Sequence, residues 1–222
     1  MKRIYLSILM CFLCPIIFGQ QTNIEGLGAF KINTTQLWFI EYYAKEKSIQ
    51  IKKLSKAEEL DNYTEYNEIY IIEIIPDTIK PKSAIASANF CPKTRVFMLS
   101  KYEVAGIKIK GLTLTFYNDL LIDLYCDNNP ELKDALQMKY GEPITEVTTS
   151  KSNCYTEDIS THQSWHNGNI TAVSYTTKTH DPDCKPLAFS IFMIFDASKS
   201  SRLENCNKKY KNVFVQRSLQ DL

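Results

Sequence analysis

The stretch of residues 111–143 constrains the fold more than any other part of the chain, because it marks a strand, a turn, a second strand and a helix in succession. Apolar residues alternate with threonine over 112–116, Asn118 and Asp119 follow, and the alternation resumes over 120–124. A period of two on either side of a short Asn-Asp turn predicts an antiparallel β-hairpin.

The helix of this stretch is marked at both ends. Asn129 suits the N-cap, Pro130 suits the first helical position, and Gly141 and Pro143 stop the helix. Its apolar residues at helical spacing are Leu132, Ala135, Leu136 and Tyr140. One face of this helix is therefore predicted to lie on a sheet.

Another helix and further strands are predicted around this unit. Asn33 is predicted to cap the first helix, and Gln36 stands where a capping box has its return bond. The apolar stripe of this helix consists of Leu37, Ile40, Tyr43 and Ala44, and Trp38 and Phe39 broaden it. Apolar runs at 69–75 and 187–195 predict central strands, and the Asn-Gly pair at 167–168 predicts a hairpin.

The apolar alternation changes phase at Gly111. Ile107 and Ile109 share one parity, whereas Leu112 and Leu114 share the other. A glycine at this point permits a bulge, and a bulge would return both sets to the same face of the sheet.

These elements predict an α+β fold with helices packed on one face of a mainly antiparallel sheet. Residues 1–19 are predicted to be a signal peptide and residues 20–222 to form a single α+β domain. A helix followed by strands occurs in each half, which indicates a tandem helix-plus-strands duplication with pseudo-repeats at 26–127 and 128–211.

The N-terminus has the pattern of a secretory signal peptide. A lysine and an arginine precede an apolar run over 4–18, which is shorter than the roughly 20 residues that cross a bilayer, and Gly19 leads into polar residues. We expect an exported protein, periplasmic or secreted, with no transmembrane segment in the mature chain. Cys11 and Cys14 lack the small preceding residues of a lipoprotein signal, so a lipid anchor is the weaker alternative.

Net charge limits the class of partner. Cleavage after residue 19 removes Lys2 and Arg3 and changes the formal charge from +1 to −1. A near-neutral protein lacks the basic surface that nucleic-acid phosphates require. We therefore expect a protein or a cell-envelope component as the partner and no nucleic acid.

The predicted mature chain keeps an odd number of cysteines, which are Cys91, Cys126, Cys154, Cys184 and Cys206. Pairing is expected in an oxidising compartment. Cys154 and Cys184 flank a predicted hairpin, so this disulfide is favoured. Cys91 with Cys126 is the next choice, and Cys206 is predicted to be a buried thiol.

The succession of strand, Asn-Asp turn, strand, helix and KYGEP at 139–143, with Trp165 on a later strand, resembles small exported bacterial domains of the β-lactamase-inhibitor-protein-like and SmpA/OmlA-like type. The resemblance covers mainly 111–195. It implies helices on one face of an antiparallel sheet, and a role in binding proteins or in supporting envelope assembly. KYGEP specifies a helix stop, so no functional residue is carried over.

Two short motifs resemble exported proteins of the Bacteroidetes group. The Gly-Gln-Gln junction at 19–21 is similar to their signal peptides, where a glutamine often begins the mature chain. The triplet at 77–79, Asp-Thr-Ile, is similar to the site at which such proteins are O-glycosylated. The second resemblance implies glycosylation of Thr78.

The histidines give no strong prediction of a metal or catalytic site. His162 and His166 would share a face of a strand but lie roughly 13 Å apart, which is too far for one metal ion. The segment from His180 to Cys184 contains several ligand types, but its proline and acids are typical of a loop, and a cysteine of an exported protein is expected to be paired.

No other catalytic pattern is evident. A nucleophile elbow, a phosphate-binding glycine loop, a zinc-protease motif and a dinucleotide fingerprint do not occur in the sequence. Nothing selects Asp119, Asp123, Glu157 or Asp158 from the other acids as a catalytic pair. We predict no cofactor and no metal, and favour a binding protein over an enzyme.

The leading hypothesis is a non-catalytic secreted or periplasmic protein that presents a sheet face, or the loops at its edge, to a protein or an envelope component. Trp165, Tyr117 and Tyr175 are the predicted contact residues. One alternative is a hydrolase or glycan-binding protein whose site is dispersed in the sequence. Another is a secreted inhibitor or immunity-type protein, which differs from the first in that its partner is an enzyme.

Overall fold

A computed structural model of the chain describes residues 23–54, 69–75, 90–152, 154 and 156–220, with side chains described as far as residue 210. The predicted signal peptide at 1–19 and the predicted glycosylation site at Thr78 lie outside the described residues.

The described residues form an α+β fold with three helices and a large, mostly antiparallel sheet. The helices are α1 (Trp38–Glu46), α2 (Pro130–Tyr140) and α3 (Ala197–Gln220). The strands are β1 (Gly26–Leu27), β2 (Phe30–Lys31), β3 (Ile51–Leu54), β4 (Ile71–Ile74), β5 (Thr94–Val104), β6 (Ile107–Tyr117), β7 (Leu120–Asp127), β8 (Ile144–Lys151), β9 (Glu157–Asn167), β10 (Ile170–His180) and β11 (Pro186–Asp196).

Nine of these strands make one sheet, and β1 and β2 pair separately. The order in the sheet is β3-β4-β5-β6-β7-β11-β10-β9-β8, and only β3 and β4 are parallel. The two apolar runs that predict central strands become β4 and β11, each of which has a strand on both sides.

The main core lies between one face of the sheet and the helices α1 and α2. Ile40 of α1 and Leu136 of α2 are buried in the same cluster as Leu114 and Phe192 of the sheet. Burial of each such side chain contributes about 1.5–3 kcal/mol. Leu203 of α3 belongs to a different cluster, so the packing of every helix on one face stays a prediction.

The ends of α2 are those that the sequence predicts. The side chain of Asn129 accepts a hydrogen bond of 2.8 Å from the backbone N–H of Leu132, and Pro130 follows at the first position. Gly141 closes the helix and donates its N–H to Gln137 at 2.9 Å. The indole Nε1 of Trp165 donates to the carbonyl of Gly141 at 2.8 Å, which fastens this helix end to β9.

The prediction that Asn33 caps the first helix is wrong. The N-cap of α1 is Leu37, which forms no side-chain cap bond. Asn33 adopts a left-handed conformation (φ 63°) and its amide contacts the start of α3 instead. Its Nδ2 donates to Asp196 at 2.7 Å, and its Oδ1 accepts from Lys199 Nζ at 2.7 Å.

Tight turns join the long strands. Asn118 and Asp119 both have positive φ and connect β6 to β7, as their sequence predicts. The hairpin between β9 and β10 also forms, but its turn residues are Gly168 and Asn169, because Asn167 still pairs with Ile170. Gly168 has φ 60°, which suits the first central position of a type II′ turn.

The phase change at Gly111 has the predicted effect on the side chains. Ile109 and Leu112 are buried in the same core cluster, and Gly111 has φ 61°. The register with β5 does not shift there, because β5 changes phase at the opposite residue, Ser100. The register shift of β6 lies between Thr115 and Phe116, where β7 has an extra residue.

The structure pairs Cys154 with Cys184, and it pairs Cys91 with Cys206. The alternative of Cys91 with Cys126 is therefore wrong, and Cys206 is not a free thiol. Cys126 is a free cysteine buried in the main core, whereas Cys91 lies in the cluster beside α3, which brings it to Cys206.

We predict that Gly111→Ala lowers the free energy of unfolding by about 1 kcal/mol, because an L side chain at positive φ is strained. No heavy atom lies within 4 Å of a Cβ built at this position, so steric overlap adds nothing. Urea unfolding measures the loss. Lys110→Ala, on the exposed neighbouring position, serves as the control, and an equal loss in both variants would contradict the prediction.

Candidate interaction surface

The predicted contact residues do not come together. Trp165 is only 3% exposed, and its indole is held by Gly141, so a partner cannot reach it in the folded chain. Tyr117 packs against the cluster that contains Leu203. Tyr175 lies on the opposite face of the sheet from the main core, because its strand neighbour Ser174 pairs with the core residue Phe192.

The strand β11 carries apolar side chains on both faces, and its N-terminal half leaves one row exposed. Phe192 and Ile194 are buried in the main core. Leu187, Phe189 and Ile191 alternate with them and therefore point to the other face. Leu187 is 50% exposed and Phe189 is 46% exposed, which is unusual for neighbouring large apolar residues.

Tyr175 of β10 extends this row sideways. It pairs with Ile191, and its ring centroid lies 5.9 Å from that of Phe189 at an interplanar angle of 46°. Its hydroxyl donates a hydrogen bond of 3.2 Å to Ser160. Cross-strand packing and this bond hold the ring in place. We call the surface formed by Tyr175, Leu187, Phe189 and Ile191 the apolar sheet face.

The other face of the same strands is polar. Asn128 Nδ2 donates to Ser174 Oγ at 2.8 Å and to Ser190 Oγ at 3.2 Å. Thr176 and Ser190 share a hydrogen bond of 2.8 Å between their hydroxyls. This part of the sheet therefore places its polar groups on the side of the main core and its apolar groups in solvent, the reverse of what folding alone would favour.

The histidines are spread along β9 and β10. His166 contacts Ser164 and Thr171 at 3.2 Å each. His166 pairs with Thr171 of β10, and His162 pairs with Tyr175, four residues further along the same strand. His180 lies five residues beyond Tyr175. At about 3.4 Å per residue, the three histidines are therefore separated by more than 13 Å along the strand direction. In the described part of the chain, no group of three or more His, Cys, Asp or Glu side chains is placed to hold a metal ion.

The cysteines of the described chain do not provide a nucleophile. Cys184 is bonded to Cys154, so its sulfur is neither a thiolate nor a metal ligand. Burial raises the pKa of the Cys126 thiol to about 12, with a smaller contribution from Asp127. Cys126 is therefore a protonated core residue at neutral pH.

One of the acids that the sequence could not rank has a distinctive environment. Asp123 is partly buried in β7, between Thr115 of β6 and Phe195 of β11. Burial raises the pKa of Asp123 from its ordinary value of 3.8 to about 7. Asp158 lies elsewhere, with its carboxylate 3.5 Å from His180 Nδ1. Asp123 and Asp158 do not form a carboxylate pair, because two strands of the sheet, β11 and β10, lie between β7 and β9.

The sequence misses a second exposed aromatic group, on α1. Trp38 and Tyr42 are 61% and 50% exposed, although helical spacing predicts that Trp38 broadens the buried stripe. Their ring centroids lie 6.3 Å apart, and both rings contact Phe39. Phe39 in turn packs against the core ring of Phe30. The only sequence signal for this exposed group is the spacing of Trp38 and Tyr42. They are four residues apart, which makes them neighbours on the helix surface, and they lie beside the apolar stripe.

No protein-family model, curated protein or solved structure matches the chain. The resemblance to β-lactamase-inhibitor-protein-like and SmpA/OmlA-like domains therefore stays a prediction.

Two further findings bear on the compartment. The disulfides Cys91–Cys206 and Cys154–Cys184 indicate an oxidising environment. Among the described residues, no helix combines the length and the apolar character that a membrane span needs.

We predict that Asp123→Asn makes the protein more stable at high pH. The folded state holds the proton of Asp123 up to about pH 7, whereas the unfolded chain loses it near pH 4. Stability contributed by this group is thus complete at low pH and is lost as the pH rises from about 4 to about 7. A shift of this size corresponds to at most about 4 kcal/mol, and the remaining solvent contact reduces it to about 2 kcal/mol.

Urea unfolding of the wild type and of Asp123→Asn at pH 4 and pH 8 measures this effect. The free energy of unfolding of Asp123→Asn, relative to that of the wild type, should increase by about 2 kcal/mol from pH 4 to pH 8. Glu146→Gln, on an exposed strand, is the matched control and should show no such growth. A pH-independent difference for Asp123→Asn would contradict the prediction.

Proposed function

We propose that the chain is a non-catalytic exported protein that binds another protein, or a component of the cell envelope, through the apolar sheet face. The observation that carries the proposal is the exposure of Leu187 and Phe189 beside the held ring of Tyr175. Isolated apolar side chains are normal on protein surfaces, but a contiguous group on a rigid element is typical of an interaction site.

The arrangement suits an anchor for a partner. Aromatic residues are enriched in the centres of interfaces, and they lose little conformational entropy on binding when they are already held. Phe189 is held by Tyr175, and Tyr175 is held by Ser160. A partner surface with an apolar protrusion or ring would gain contacts here without rearranging the sheet.

The architecture supports the same proposal. We infer a tandem duplication in which each half contributes a helix and then a meander of strands, with β7 of the first half beside β11 of the second. Under this proposal the fold is related to the β-lactamase-inhibitor-protein-like domains that the sequence resembles, and the sheet serves as a contact surface. The disulfides and the signal-peptide pattern at 1–19 support export.

We predict that the double substitution Leu187→Ser and Phe189→Ser reduces recovery of a stoichiometric partner at least tenfold. The reason is that removal of two anchors at the centre of an interface costs on the order of 2 kcal/mol or more. Affinity capture from an envelope extract of the native organism, followed by quantification of the partner, measures the loss. If that partner is an enzyme that the chain inhibits, the inhibitor alternative replaces a general binding role.

The control for this experiment is Ala188→Ser, which lies between the two residues on the other face of β11 and is exposed. It should leave recovery unchanged, and urea unfolding should show that all variants are folded. Equal recovery with wild type and with the double variant would contradict the proposed surface. Recovery of no partner by the wild type would contradict the proposed function.

A second candidate function is glycan binding, which the exposed pair Trp38 and Tyr42 favours. The C–H faces of sugar rings are apolar and pack on flat aromatic rings. Gln36 accepts a hydrogen bond of 2.9 Å from Trp38 Nε1 and so fixes the indole on the helix surface. Glu41 stands between the two rings in sequence and offers a carboxylate to sugar hydroxyls.

We predict, for this second candidate, that Trp38→Ala removes at least nine-tenths of any co-sedimentation with isolated peptidoglycan, because the stacking surface is lost. Met138→Ala, which removes an even more exposed but non-aromatic side chain from α2, is the control. No co-sedimentation of the wild type, or equal retention of both variants, would eliminate this function for the Trp38 surface.

A further inference from the structure

The two edges of the sheet differ in length and in protection. Among the described residues, β3 forms one edge and β8 the other. β3 has four residues, two of which are the lysines Lys52 and Lys53. β8 has eight residues, and every one of them is exposed.

The backbone groups that β8 offers to a neighbour follow from its register with β9. Ser152 donates its N–H to Thr156 at 2.8 Å, and the register continues without a shift to Ile144. In an antiparallel pair, alternate residues direct both N–H and C=O to the same neighbour. The even-numbered residues of β8 therefore bond to β9, and the odd-numbered residues direct their N–H and C=O outward, namely Thr145, Val147, Thr149 and Lys151.

Natural sheets protect such edges with proline, bulges, inward charges or short strands. β8 has no proline, its pairing with β9 has no bulge, and its single lysine stands at the last position. Five of its eight residues are β-branched, a composition that favours further strand pairing. This edge is therefore built to accept another strand.

We propose that the strand which β8 accepts is β8 of a second copy of the chain, paired antiparallel about a two-fold axis. Because the outward residues are all odd-numbered, odd-numbered residues lie opposite odd-numbered ones in the two copies. Residues that lie opposite each other in an antiparallel pair point to the same face. The face with the odd-numbered side chains of β8 therefore lies on the same side in both copies. The result is one continuous sheet across the dimer, with both apolar sheet faces on one side.

The side chains of β8 suit pairing with themselves. The strand carries one acid, Glu146, and one base, Lys151. When the two-fold axis passes through residue 147, 148 or 149, neither charge lies opposite its own copy, so no like charges meet. In the central register Thr148 meets Thr148 and Val147 meets Thr149. In the two neighbouring registers Val147 meets Val147, or Thr149 meets Thr149.

A foreign peptide would fit this edge less well. Domains that add a partner strand have pockets beside the edge for alternate side chains of the peptide. The β9 residues next to β8 carry short or polar side chains, which include Ser160, Thr161, His162 and Gln163. A second copy needs no pocket, because the backbone ladder supplies the contacts.

The dimer should be weak and reversible. Pairing of two eight-residue edges buries far less than the roughly 1,600 Å² of a standard interface, and the paired side chains are mostly polar. We expect association between about 1 µM and about 1 mM. The inference does not rest on the proposed function, because the apolar sheet face is separate from the edge of β8.

Sedimentation velocity of the purified protein over this range tests the proposal. The weight-average mass of the wild type should rise toward twice that of the monomer. Val147→Pro should weaken association at least tenfold, because proline removes an outward N–H that β9 does not use. Val147→Thr keeps the N–H and a β-branched side chain, and it should associate as the wild type does.

Single cysteines identify the register and keep the test valid if the proline variant fails to fold. Under mild oxidation, one of Val147→Cys, Thr148→Cys and Thr149→Cys should give an intermolecular disulfide, and Ile144→Cys should give none. A wild type that stays monomeric up to about 1 mM would overturn the proposal, as would a dimer that survives Val147→Pro or the absence of cross-links from all three variants.

Discussion

The pairing of β7 with β11 is the interaction on which the rest of the structure depends. It joins the strands β3–β7 to the strands β8–β11, and it aligns Leu124 with Ile194 and Cys126 with Phe192 in the centre of the main core. Without this pairing the two groups of strands would not contribute to one common core with α1 and α2. Asn33 reinforces the junction from the N-terminal segment, since its amide contacts both Asp196 and Lys199 at the start of α3.

The position of the core determines which surfaces are free. The helices α1 and α2 cover the face that carries Phe116, Leu124 and Ile194. β10 and β11 extend beyond this covered region, and there the apolar side chains Leu187 and Phe189 turn away from the core. Burial drives the folding of one face, and the same alternation of side chains leaves a hydrophobic row on the other. The exposure of the apolar sheet face is thus a consequence of strand length.

Features that depend on local chemistry could be predicted from the sequence. Asn129, Pro130 and Gly141 define α2 because capping involves residues within one turn, and Asn118 with Asp119 defines a turn for the same reason. The capping prediction for Asn33 is wrong because Asp196, its partner in the structure, is distant in the sequence and competes with the local capping bond. The pairing of Cys91 with Cys206 likewise depends on where α3 packs, which no local pattern encodes.

The candidate surface could be predicted only in part. Tyr175 lies on the exposed face, but an alternating strand does not reveal which of its faces a helix covers, and Trp165 proved to lie on the covered one. Phe189 and Leu187 read as core residues of a central strand, because apolar side chains on both faces usually mean burial on both. The exposure of Trp38 was hidden for a similar reason, since its position borders the apolar stripe of α1.

Hydroxyl-radical footprinting of the free protein in solution tests the central claim most directly, because it reads the exposure of each aromatic ring without a partner or a substitution. The account predicts fast oxidation of Phe189 and Tyr175 and strong protection of Trp165 and Phe192. Protection of Phe189 equal to that of Phe192 would contradict it, because the apolar sheet face would then be covered by the chain itself.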